Sequence, residues 1–136
     1  MEFKGSARIG HGSKIGVVGE LVLGDNFRIT AESAIVAHKK VVIGANVLVS
    51  WDVLIMDTDM HHIHAQDGSC INAPSEVNIG NRVWIGCRSL ILKGVTLPEG
   101  IIVAASTTVT RSVNCLNAII GGNPARIIRE NITWRK

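Results

Sequence analysis

Residues 79–114 read IGNRVW, IGCRSL, ILKGVT, LPEGII, VAASTT, VTRSVN. Ile79, Ile85, Ile91, Leu97, Val103 and Val109 head the six blocks, and Val83, Ser89, Val95, Ile101, Thr107 and Val113 fill the fifth slots. The first slot is always aliphatic and the fifth always small or β-branched. Helical spacing would scatter these residues around a cylinder, and simple alternation would not single out every sixth one. A strict period of six is the signature of a coil of short parallel strands. First and fifth slots then point inward and the others outward. Gly80 and Gly86, in second slots, suit a corner that a side chain would strain. No coil buries its core alone, so several must stack.

The register extends towards the start of the chain. Phe3, Ile9 and Ile15 head three blocks, and Leu21-Val22 is a two-residue insert. Leu23, Ile29 and Ile35 follow, then a second insert, Val41-Val42, then Ile43, Val49 and Ile55. Lys39 and Asp59 occupy fifth slots against the apolar rule, and an outward bulge is expected at Lys39. Grouping in threes predicts about five triangular coils: 3–20, 23–40, 43–60, 79–96 and 97–114. Residues 61–78 leave the register as one long loop, and long ordered loops often carry function. The stretch 115–136 reads as a tail packed on the coils. Its Gly121-Gly122 marks a turn, and Asn123-Pro124 predicts the start of a short helix over 124–131.

The composition fits a narrow prism: 46% apolar residues but only 4% aromatic. No stretch is long and apolar enough to span a membrane, and the first residues lack the apolar core of a signal peptide. Cys70, Cys87 and Cys115 are odd in number and scattered, which points to reduced thiols and a cytoplasmic protein. Residues 1–110 hold nine Lys/Arg against ten Asp/Glu, whereas 111–136 hold five against one. A basic tail on a near-neutral body suits a small anionic ligand better than nucleic acid. A merely solvated tail would give the same count.

Asp57, Asp59 and His61 alternate, so an extended segment puts all three on one side. A carboxylate beside an imidazole fixes its tautomer and raises its basicity. An unperturbed imidazole titrates at about 6.5, which suits a general base. The bland alternative is that Asp59 and His61 simply open an exposed loop. With His62 and His64 they could also hold a metal, but three histidines within four residues do not readily reach one ion from an extended chain. Trp84, in a sixth slot, points outward and suggests a ligand or subunit contact, with corner packing as the plainer reading. Trp51 also points outward and has no assigned role.

The combination LGDN (23–26), IGANV (43–47), DTDMH (57–61), IGNRVWIG (79–86), ILKGVTL (91–97), AAST (104–107), VTR (109–111) and GGNPARIIR (121–129) resembles the bacterial hexapeptide-repeat O-acetyltransferases. The sugar and surface-polysaccharide branch is the most similar. The resemblance implies an all-β, left-handed parallel β-helix, although strand crossovers are normally right-handed. It also implies a homotrimer that uses acetyl-CoA, needs no metal, and acts on a sugar-type hydroxyl. His61 would be the general base, with Asp59 orienting it. Trp84, the backbone at Cys87, Ala105, Thr110, Arg111, Arg126 and Arg129 would contact the coenzyme. Arg126 and Arg129, three apart on the expected helix, would share a face towards its phosphates. The same fold also carries zinc carbonic anhydrases, and amino sugars are alternative acceptors. The family's acceptor-contacting Asn and Asp match Thr30 and His38 here, so the acceptor is not carried over.

Overall fold

A computed structural model describes all 136 residues. The first coil carries β1 (Glu2–Phe3), β2 (Ala7–Ile9) and β3 (Lys14–Val17). The second carries β4 (Glu20–Leu23), β5 (Phe27–Ala31) and β6 (Ala34–Ala37), and the third β7 (Lys40–Ile43), β8 (Leu48–Trp51) and β9 (Leu54–Met56). A long loop separates these from β10 (Val77–Ile79), β11 (Trp84–Ile85) and β12 (Leu90–Ile91). The fifth coil holds β13 (Thr96–Leu97), β14 (Ile102–Val103) and β15 (Thr108–Val109). Then come β16 (Ile119–Gly122) and β17 (Ala125–Arg129). Every third strand pairs in parallel, giving three faces. The first face is β1-β4-β7-β10-β13, the second runs from β2 through β5, β8, β11 and β14 to β16, and the third is β3-β6-β9-β12-β15.

The register explains both inserts. Phe3 pairs with Leu23 and Leu23 with Ile43, twenty residues apart, whereas Ile79 pairs with Leu97, eighteen apart. The extra residues lengthen β4 and β7 on the first face, where Leu21 and Val41 are fully buried. Val77 pairs with Val41 and continues that added row. First-slot residues stack into ladders such as Ile29, Val49, Ile85, Val103 and Ile120 on the second face. Each such side chain contributes about 2 kcal/mol by leaving water. In the first coil, with a neighbour on one side only, Phe3 and Ile9 stay exposed.

The corners are made differently from the expectation. Fourth-slot residues, not second-slot glycines, take the left-handed backbone: Asn26, Asn46, Arg82, Arg88, Gly94, Gly100 and Ser106 all have φ between 52° and 79°. Asn tolerates this region better than most residues. The glycines serve close approach instead. A Cβ on Gly86 would lie 2.7 Å from the Val103 carbonyl oxygen and 2.8 Å from the Ala105 nitrogen, on the coil above.

The helix expected over 124–131 is not formed. A cis Asn123–Pro124 peptide turns the chain, and β17 pairs antiparallel with β16, Gly122 facing Ala125 and Gly121 facing Arg126. The β-branched residues Ile119, Ile120, Ile127 and Ile128 favour a strand, and eight residues would make only a marginal helix. The hairpin extends the second face by two strands. No helix is long and apolar enough to cross a membrane.

Candidate active site

The long loop springs from the corner between the third and first faces. Asp57, at its root, is fully buried, and its carboxylate accepts the backbone N–H groups of His38 (2.8 Å), Lys39 (2.7 Å) and Lys40 (2.7 Å). Those three amides are freed where Lys39 bulges outward, as the broken register predicts. Three charge-assisted hydrogen bonds let a carboxylate sit in a core otherwise closed to it. Asp57 is therefore a structural anchor and does not share a side with Asp59.

Asp59 lies at the surface. Its carboxylate binds the Lys93 ammonium at 2.8 Å and accepts from Asn72 Nδ2 at 3.0 Å. The hydrogen bond from Lys93 and then that from Asn72 hold its pKa below the ordinary carboxylate value. The expected pairing of Asp59 with the His61 ring is replaced by an indirect link. Asn72 Nδ2 also donates to the His61 carbonyl (2.8 Å), and Asn72 Oδ1 accepts from Ile63 N (2.7 Å). Lys93 Nζ further donates to the Asn72 carbonyl at 3.0 Å. Asn72, Lys93 and Asp59 thus clamp both arms of the loop around His61, whose side chain is exposed. Asn72 and Lys93 have no signature in the sequence, because their partners lie 9 to 34 residues away. His62 and His64 have ring centroids 6.3 Å apart, and no three metal-ligating side chains converge anywhere in the chain.

The other expected residues fall into two cavities. On the second face, a cavity of about 340 Å³ is lined by Trp51, Trp84, Gly86, Cys87, Ala104 and Ala105, among others. Trp84 Nε1 donates to Ser50 Oγ at 3.2 Å, which fixes the indole upright. Trp51, unassigned from sequence, forms part of this wall because β8 lies directly below β11. Cys87 is a half-buried free thiol in the lining. A second cavity of about 440 Å³, at the last coil, is bounded by Thr110, Arg111, Asn114, Ala125 and Arg126. Arg126 reaches it from β17, but Arg129 is three residues on and stands outside both cavities. In a strand, residues three apart point to opposite sides.

In a triangular column, the corner carrying the His61 loop lies opposite the second face. One chain therefore keeps His61 away from Trp84, Cys87 and Ala105. Two columns side by side can bring one chain's loop to the other's second face.

Comparison with known proteins finds relatives of the same fold. No family model matches the chain. Galactoside O-acetyltransferase of Escherichia coli K12 is 34% identical over 110 residues, covering 79% of this chain and 53% of the relative. A polysialic acid O-acetyltransferase of Neisseria meningitidis is 38% identical over 104 residues, covering 76% and 48%. Among solved structures, a galactoside acetyltransferase in complex with coenzyme A superposes with a TM-score of 0.77, is 27% identical, and matches over 94% of this chain and 65% of that one. The chain is homologous to the hexapeptide-repeat O-acetyltransferases and shares their left-handed parallel β-helix. It spans about half the length of the two curated relatives.

Proposed function

We propose that this protein transfers the acetyl group of acetyl-CoA to a hydroxyl of a sugar or polysaccharide precursor. The observation that carries the reading is the split site: an apolar cavity on the second face of the column, a loop histidine at the opposite corner, and a cationic cavity at the last coil. Small residues at Gly86, Ala104 and Ala105 leave room for a pantetheine arm beside the backbone. Arg111 and Arg126 offer planar guanidinium groups suited to phosphate oxygens, and Arg129 extends the positive field. A galactoside acetyltransferase that binds coenzyme A on the same scaffold supports this assignment.

The active assembly is a homotrimer, in which each seam joins one chain's His61 loop to its neighbour's second face. His61 removes the acceptor's hydroxyl proton as the oxygen attacks the thioester carbonyl. The tetrahedral oxyanion is stabilised by backbone amides, and it collapses by expelling the coenzyme A thiolate. The imidazolium returns its proton to that sulfur. Asp59 acts on His61 through Asn72 and the loop backbone. Free thiols at Cys70, Cys87 and Cys115 fit a cytoplasmic setting, where acetyl-CoA is made.

Thiol release from acetyl-CoA, measured against neutral sugars, amino sugars and nucleotide sugars, tests this reading. An acceptor-dependent release giving a base-labile ester is expected. A base-stable amide would make it an N-acetyltransferase, and no release with any acceptor would end the reading.

A further inference from the structure

The loop between β9 and β10 is itself a small hairpin. Its arms pair antiparallel at His64 and Cys70, with Ile71 N donating to the Ile63 carbonyl (2.9 Å) and Ala65 N to the Ser69 carbonyl (2.8 Å). At the root, Ser75 N donates to the Asp57 carbonyl (2.9 Å). Between these rungs the side chain of Asn72 takes the place of the backbone. It is only 8% exposed. Its Nδ2 donates to the His61 carbonyl (2.8 Å) and to Asp59 Oδ2 (3.0 Å). Its Oδ1 accepts from Ile63 N (2.7 Å) and from the Cys70 thiol (3.6 Å). A carboxamide has two N–H donors and two acceptor lone pairs, so all four are used.

His61 depends on this hold. Its imidazole is exposed, and Asp59, the carboxylate expected beside it, is turned to Lys93. The residue is gripped at its backbone instead. On the upstream side, His61 N donates to the Asp59 carbonyl (2.7 Å), and Met60 is held at φ 66° with its N–H on Thr58 Oγ1 (3.0 Å). A non-glycine residue in this region persists only where its surroundings fix it. On the downstream side the His61 carbonyl rests on Asn72, whose own carbonyl is fixed by Lys93 Nζ at 3.0 Å.

We propose that Asn72 is the positioning residue for the general base: its carboxamide replaces a backbone rung of the hairpin and sets where the His61 imidazole stands. Lys93 and Asp59 serve Asn72, one holding its main chain and the other its amide. The inference rests on the transferase reading and deepens it, because it names the group that orients the base in place of a carboxylate on the ring. A small displacement of a reacting group is enough to cost about a hundredfold in rate.

Two variants separate positioning from mere support of the loop. Asn72→Asp keeps the shape and the acceptor for Ile63 N but removes both N–H donors. Its kcat should fall about tenfold or more, with KM for acetyl-CoA within about twofold. The backbone order parameter at the His61 amide, from nitrogen-15 relaxation, should fall from about 0.85 to below about 0.6. The exchanged pair Asp59→Asn with Asn72→Asp restores one amide and one carboxylate between the arms, yet leaves the His61 carbonyl without its donor. Its melting temperature should return towards wild type while kcat stays low, and it carries the test even where Asn72→Asp alone does not fold. Recovery of kcat together with stability in the exchanged pair would overturn the proposal, as would a raised KM at unchanged kcat in Asn72→Asp. A wild type that releases no thiol, with His61 order still lost in Asn72→Asp, would remove the transferase reading and leave the hold on His61 standing. Wild-type thiol release with unchanged His61 order in the variant would do the reverse.

Discussion

Asp57 and Asp59 stand two residues apart and do different work. Asp57 disappears into the core on three backbone amides, whereas Asp59 ties the loop to Lys93 and Asn72. Alternation along the chain suggests they share a side, but the outward bulge at Lys39 creates a buried amide nest that claims Asp57. Because Asp59 has a lowered folded-state pKa, its contribution is present above the ordinary carboxylate value of about 3.9 and is lost as pH falls through the folded value. Hydrogen-exchange protection of the Ile63 amide should therefore persist at about pH 5 and fail only below about 3.9. In Lys93→Met, which removes the largest cause of the shift, the loss should begin at higher pH. Identical profiles would separate the clamp from the loop's order. At His61, replacement by Ala should lower turnover about a hundredfold with little change in coenzyme A affinity, as for loss of a general base. Near-normal activity would dismiss that assignment. A third residue tests the core. Thr107 Oγ1 is buried without a hydrogen-bond partner, while Ser89 Oγ in the same column donates to the Ala104 carbonyl. Thr107→Val should raise stability by about 1 kcal/mol in urea unfolding, and a loss would show that the hydroxyl has a partner after all.

At the scale of elements, the coils are legible because each hexad repeats the same two inward slots. Five coils, two inserts and the long loop follow from that rule and are all present. The hairpin of β16 and β17 is not legible, because Asn-Pro and a run of Arg and Ile suit a helix start as well as a strand turn. Pairing with β14 decides between them, and that partner is tertiary. The consequence is functional: of the two arginines expected to share a face, only Arg126 enters the cavity at the last coil. Arg126→Ala should weaken coenzyme A more than dephospho-coenzyme A if it grips the 3′-phosphate, and equal weakening would move the contact. The coil spacing itself can be tested at Gly86, where an added Cβ meets backbone on the coil above. Gly86→Ala should cost about 1–3 kcal/mol of stability, the usual range for overpacking. A neutral result would mean the coils can spread there.

For the whole molecule, the triangular section sets what one chain can and cannot do. It presents His61 at one corner and the Trp84–Cys87–Ala105 cavity on the opposite face, so catalysis by this account needs two columns. The sequence places His61 and the coenzyme residues in the same motif set, but their separation around the column appears only once the faces are assigned. The same geometry makes separate defects complementary. His61→Ala chains keep an open second face, and Ala105→Trp chains, whose cavity is filled, keep the loop histidine. In a mixed assembly of the proposed kind, some seams would join an intact loop to an intact face. The decisive measurement is thiol release from acetyl-CoA by assemblies formed by mixing these two variants. The account predicts a rate well above the sum of the two separate variants, and a mixture no more active than that sum would contradict it.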